Sequence, residues 1–203
     1  MALCLDFANT LRRGAAPRDQ LSRYADLVAW ARRAGALADA AARRLLGAAR
    51  RRPAAATAAL RRGLALREAI YRLLSAVADR RPPRGADLAT VNAAVAGALA
   101  LSRLGARGGG FAWDWAGDRD ALDRPLWPVA RSAGELLTSG DLVAVRECAA
   151  PGCTRLFVDR SRNRTRRWCD MAMCGNRAKA RRYYARRRSM SARSAGGKSY
   201  SAR

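Results

Sequence analysis

The chain has 203 residues, half of them hydrophobic, and a formal charge of +24 at neutral pH. That length suits one domain with an appendage or two small domains. Of the 40 basic residues 38 are arginine, a surplus that implies a polyanionic partner such as nucleic acid, while the absence of histidine excludes the usual catalytic triads and every His-ligated metal site.

The charge is uneven. Residues 146–203 hold 17 basic and 3 acidic residues, whereas residues 1–145 hold 23 and 13. Binding to a membrane surface would call for an amphipathic apolar face or a lipidation signal. Neither is found, and the longest apolar run, 93–101, is too short and glycine-broken to span a bilayer. The opening MALCLDFANT has no basic leader and carries Asp6, so a cytoplasmic, reducing location is expected.

In residues 3–11, Leu3, Leu5 and Phe7 alternate while Leu5, Ala8 and Leu11 step by three, leaving strand and helix both open. The stop at Leu11-Arg12-Arg13-Gly14 favours helix. Asp6 and Asn9 are candidates either for ligand contact or, by preference, for tying down nearby backbone. Asp19 is expected to N-cap a helix that runs to about residue 34 and stops at Gly35. A second helix starts at Asp39 and ends before Pro53; the longest periodic segment, 54–80, is closed by Pro82-Pro83. Asp87 opens a fourth helix over 88–101.

Residues 105–117 alternate large and small side chains behind a glycine cluster, which predicts a β-hairpin. Its Trp113 and Trp115 are expected to cover the helical core, with the wall of a ligand cavity as the alternative. No phosphate-binding GxGxxG stands between strand and helix. A fifth helix over 122–138 closes at Gly140-Asp141, and a short strand over 142–146 leads into Cys148, placing a domain boundary near 141.

Four of the five cysteines then follow as Cys148-x4-Cys153 and Cys169-x4-Cys174, separated by fifteen residues. Two close pairs can converge on one tetrahedral centre, and four thiolates would close it, giving a structural Zn2+ site. Two disulfides are the alternative, disfavoured in a reducing compartment. Pro151-Gly152 would turn the first knuckle, and residues 156–158 would pair with 166–168 around a turn at 161–164. Cys174 would sit in the first turn of a helix over 176–188, an order similar to a treble-clef finger. That helix carries Arg177, Lys179, Arg181, Arg182, Arg186, Arg187 and Arg188 without an acidic residue. Arg162, Arg164, Arg166 and Arg167 of the preceding loop, with Arg177, Lys179, Arg181, Arg182 and Arg186 of the helix, are the candidate nucleic-acid contacts. The Ser-, Gly- and Arg-rich tail, 189–203, is expected to be disordered.

The stretch Cys174-Gly175-Asn176-Arg177, with Cys148, Cys153, Cys169, the run Phe157-x-Asp159-x-Ser161-x-Asn163 and Arg166-Arg167-Trp168-Cys169, resembles the CGNR zinc finger of bacterial proteins. Leu5-Asp6-Phe7-x-Asn9-Thr10-Leu11 is similar to the start of the ABATE domain that usually precedes it. The resemblance implies a stress-induced transcription regulator. The expected fold is mainly α: a helical domain over 1–141 with a small β-hairpin, then a treble-clef-like Cys4 finger over 142–188. The expected activity is regulation through duplex DNA, with RNA or the ribosome as the alternative target and an enzyme in 1–141 disfavoured. A homodimer and an unidentified small-molecule effector remain open as partners.

Overall fold

A computed structural model describes residues 2–14 and 17–196, which form seven α-helices and three antiparallel two-stranded sheets. The first helix, α1 (Leu3–Ala8), is only six residues long yet buries Cys4, Leu5, Phe7 and Ala8, with Phe7 against Trp30 at 4.8 Å between ring centroids. So short a helix persists through tertiary packing rather than propensity. The short strands β1 (Leu11–Arg12) and β2 (Arg18–Asp19) then pair, and α2 (Tyr24–Arg33), α3 (Asp39–Arg51) and α4 (Pro53–Ala78) follow.

Asp19 does not cap α2. Its carboxylate accepts Arg67 Nη1 at 2.6 Å and Nη2 at 2.8 Å, because Arg67, from the middle of α4, is only 3 % exposed and needs a counter-ion. Asp26 takes the capping role, its carboxylate accepting the Arg23 N–H at 2.8 Å and the Ser22 N–H at 3.0 Å.

Helix α4 is the spine. Pro53 opens it, where a missing N–H costs nothing, and Leu66, Ile70, Leu73 and Leu74 face the core. A Cβ at Gly63 would meet Leu126 at 3.0 Å and Leu27 at 3.6 Å, so the glycine lets α2 and the segment before α6 close on α4. Helices α5 (Gly85–Ala100) and α6 (Trp127–Leu137) complete the bundle. Asp87 lies inside α5, and Arg72 of α4 donates to it at 2.6 and 2.9 Å.

The predicted hairpin is present as β3 (Ser102–Arg107) and β4 (Gly110–Trp115), turned by Gly108 and Gly109 at positive φ, as a tight two-residue turn requires. Only its root is docked. Trp115 packs on Trp127 at 5.7 Å, while Leu104, Phe111 and Trp113 are exposed, so the aromatic face does not cover the core as expected.

After a 3-10 turn over Gly140–Ala144, β5 (Val145–Glu147) pairs with β6 (Leu156–Val158) in the register Val145↔Val158. Here the expected pairing is corrected: the partner of residues 156–158 is the strand entering Cys148, and 166–168 is not a strand. Val145 and Leu156 are apolar, fully buried and part of the main core, so this hairpin is drawn onto the helices. Last comes α7 (Asn176–Gly196), which continues beyond Arg188, where a disordered tail was expected. Nothing in residues 189–195 breaks a helix, since neither proline nor glycine occurs before Gly196. Residues 197–203 and the side chains of Arg186 and Arg188 lie outside the described residues.

Candidate metal centre

The first cysteine pair is set by the exit from β5. Cys148 N–H donates to Arg155 O at 2.9 Å and Cys153 N–H to Ala150 O at 2.9 Å, closing a knuckle around Gly152, whose φ of 72° is in the left-handed region. The second pair is set by a loop that Asp159 organises. Its buried carboxylate accepts the Ser161 N–H (2.9 Å), the Ser161 hydroxyl (2.6 Å) and the Arg166 N–H (2.9 Å). These bonds, the Ser161 hydroxyl first among them, hold its carboxyl below the usual carboxylate range. Ala149 N–H then donates to Arg167 O at 2.8 Å, laying Cys169 beside the first knuckle. Asp170 accepts the Met173 N–H at 2.6 Å and starts the π-helical turn Met171–Gly175, which delivers Cys174 just before α7 rather than within it.

The four Sγ atoms lie within 4.8 Å of one another. Cys153 and Cys169 are 3.8 Å apart, and Cys169 and Cys174 3.7 Å. Four thiolates at about 2.3 Å from one zinc stand about 3.8 Å from each other, whereas a disulfide would hold two sulfurs at about 2.05 Å. The donor set therefore fits one Zn2+ and leaves no position for substrate. All five cysteines are free thiols, and Cys4 sits alone in the helical core.

The surroundings match that charge. Cys169 N–H donates to Cys148 Sγ at 3.3 Å, and Arg177 Nη2 donates to Cys174 Sγ at 3.3 Å. Burial pushes the Cys153 and Cys169 thiols up, with the neighbouring thiolates adding repulsion at Cys169. Burial acts the same way on Cys174, but the Arg177 hydrogen bond and those from the other thiols bring it below its ordinary value. A divalent cation reverses the penalty at all four. Among the described residues, Phe157, Ala150 and the half-buried Trp168 supply the other apolar cover in this small second core.

The predicted basic residues fall into two sets. Arg166 is committed to the fold: its guanidinium donates to Trp168 O at 2.8 Å and to Cys169 O, and lies over the Phe157 ring at 4.9 Å. Arg177 is held by Cys174. Arg162, Arg164, Arg167, Lys179, Arg181 and Arg182 are exposed, and among the described residues none has a carboxylate within ion-pair distance. Tyr183 and Tyr184 are 57 % and 63 % exposed on α7, packed on each other edge to face.

Asn9 and Asp6 lie elsewhere and do different things. Asn9 is buried; its Nδ2 donates to Leu156 O at 2.9 Å and its Oδ1 accepts Leu156 N–H at 3.0 Å, so the amide pairs with β6 as a neighbouring strand would. Asp6 is half-buried, its carboxyl raised by burial against the pull of Arg155. Two residues missed in the sequence complete this junction. Arg13 N–H donates to Thr154 Oγ1 at 3.1 Å, with its guanidinium over Tyr71 at 3.6 Å, and a Cβ at Gly14 would collide with Gly152 O. Asn9→Ala should lower stability by about 2–3 kcal/mol, since both polar groups of Leu156 lose their partner in a buried site. Denaturant midpoints and amide exchange at Leu156 measure this directly.

A helical domain joined to a closed four-thiolate metal module defines a zinc-finger protein. The ABATE family, described as "Putative stress-induced transcription regulator", matches residues 1–140, and the CGNR zinc finger matches residues 144–187. The chain belongs to the ABATE family and carries a CGNR zinc finger. No curated protein matches it. Both families are regulatory or zinc-binding rather than enzymatic, in keeping with a regulatory zinc-binding protein.

Proposed function

We propose that this protein is a cytoplasmic transcription regulator that grips duplex DNA through α7 and the loop over 160–167. In this reading residues 1–141 sense a signal or dimerise, and 142–188 bind the nucleic acid. One observation carries it: Lys179, Arg181 and Arg182 stand exposed on a helix whose described residues include no carboxylate. Such a row of cations repels itself in isolation and is relieved by phosphates. At 21 residues α7 is about 30 Å long, enough to lie along a groove. No described helix is long and apolar enough to cross a membrane.

The zinc stabilises the module that presents these cations and takes no part in contacting the target. The test substitutes Lys179, Arg181 and Arg182 together by alanine, sparing Arg177 because it touches a metal ligand. Duplex affinity should fall, and the slope of log K against log salt should flatten by about 3 for three lost phosphate contacts. Alanine preserves the helix. An unchanged slope on duplex DNA would show α7 to be a solvated face. The exposed Tyr183 and Tyr184 offer stacking surfaces for unpaired bases, so tighter binding of structured RNA than of duplex at equal salt would favour RNA as the target.

A further inference from the structure

A cleft of about 750 Å3 opens beside the β3–β4 hairpin, and no residue of the finger lines it. Its apolar walls include Leu3, Leu37, Trp113, Trp115 and Pro128, and two of its cations, Arg124 and Arg131, come from the segment that leads into and forms α6. The charges around it do not balance. Asp39 is 3.8 Å from Arg32, and Asp114 is 2.8 Å from Arg103, so both carboxylates of the lining already face a cation. Arg131 Nε lies 3.2 Å from Glu135 Oε1 without making a hydrogen bond to it. Arg124 has no carboxylate within ion-pair distance among the described residues.

These are not solvated surface cations. Arg124 Nη1 and Arg131 Nε and Nη1 are buried with no hydrogen-bond partner, which native interiors rarely tolerate. Burial holds the Arg124 guanidinium below its ordinary value; Arg44, Arg119 and Arg103 reinforce this against the pull of Asp114. Arg131 is kept in place by rings, its guanidinium carbon 5.3 Å from the Trp113 centroid and 5.7 Å from that of Trp115.

We propose that this cleft binds a small organic acid, its carboxylate paired with Arg124 and Arg131 and its flat apolar body laid against Trp113 and Trp115. Two guanidinium groups supply the planar donors a carboxylate accepts best. The tryptophans argue for an organic rather than an inorganic anion, since a bare ion would leave the aromatic wall unused. The site is independent of the nucleic-acid reading: it can be present whether or not α7 meets DNA.

Calorimetric titration of the zinc-loaded full chain with 2-naphthoate and with 2-naphthamide tests the proposal. The acid should saturate at one site per chain, and the amide, of the same shape but uncharged, should bind about tenfold more weakly or worse. Arg131→Gln and Arg124→Gln should each weaken the acid by about tenfold, while Arg181→Gln/Arg182→Gln on α7 should leave it unchanged. Tryptophan quenching by the acid should be reduced in Trp113→Leu. Equal affinity for acid and amide on the parent chain, which requires no substitution, would overturn the proposal. So would parent-like binding by both cleft variants, loss of binding in the α7 variant, or no saturable binding at all.

Discussion

Stripping zinc from this protein should release the chain from about residue 159 to the start of α7 while β5, β6 and the six helices before them stay folded. The reason is where each part finds its cover. Val145 and Leu156 are buried in the main core, and Asn9 and Arg13 hold β6 and the knuckle from the helical side. Among the described residues, the segment beyond Asp159 finds its buried apolar cover in a small cluster of Cys148, Ala150, Phe157 and Cys174, too few to offset the entropy of ordering it. Binding zinc to such a module supplies apparent free energies of about 10–16 kcal/mol at neutral pH. Hydrogen exchange with and without a chelator should therefore show loss of protection at Arg166, Met173 and the first turns of α7, with protection in α1 and α4 retained. Cys169→Ser should reproduce the chelated pattern and reduce bound zinc well below one per chain. A single cooperative loss across both regions would mean that the metal holds the whole chain together.

The ion pair beneath β2 should be the largest single contribution outside the metal site. Asp19→Ala leaves the buried Arg67 without its bidentate partner, at a cost of about 3 kcal/mol, the low end for a broken buried pair because solvent reaches Asp19. Burial alone would raise the Asp19 carboxyl, but the hydrogen bonds from Arg67 and the Leu21 N–H outweigh it and set it below the ordinary value of 3.8. The sign follows from linkage: the folded state binds the proton less readily than the unfolded one. This stability is thus present in full above the unfolded value and is lost as pH falls below it, through the folded value. Thermal melts of parent and Asp19→Ala should differ by several degrees at neutral pH and converge in acid. A gap that stays constant into acid would exclude Asp19 ionisation as its source.

The sequence was most legible where signals are local and repeated. Apolar periodicity, Pro53 and the glycines at 108–110 locate α3, α4 and the β3–β4 hairpin closely, and the cysteine spacing locates the metal cluster. Long-range choices were not legible. An aspartate before an apolar run signals an N-cap, and nothing local tells that Arg67, 48 residues on, will claim Asp19. Residues 145–147 and 166–168 are both three-residue candidates to pair with 156–158; burial of Val145 against α4 decides between them. The Asn9 amide meets Leu156 across 147 residues of chain, a contact with no periodicity to announce it. The cleft charges were hidden for another reason: in a chain with 38 arginines, no pattern marks Arg124 and Arg131 as the two that bring buried, unpaired donors to the cleft.

The hairpin of β5 and β6 has a consequence for how such modules can be recombined. The two family regions abut between residues 140 and 144, so a cut there looks clean on paper. In the folded chain it would strip β6 of the Asn9 amide that occupies its outer edge and uncover Val145 and Leu156 together. A finger excised at that point would present a sticky, half-paired strand, prone to adhere to its own copies. Transplanting the finger onto a foreign scaffold therefore requires a surrogate for the Asn9 clamp, and swapping the helical domain between relatives should succeed only when both sides of that grip travel as a matched set.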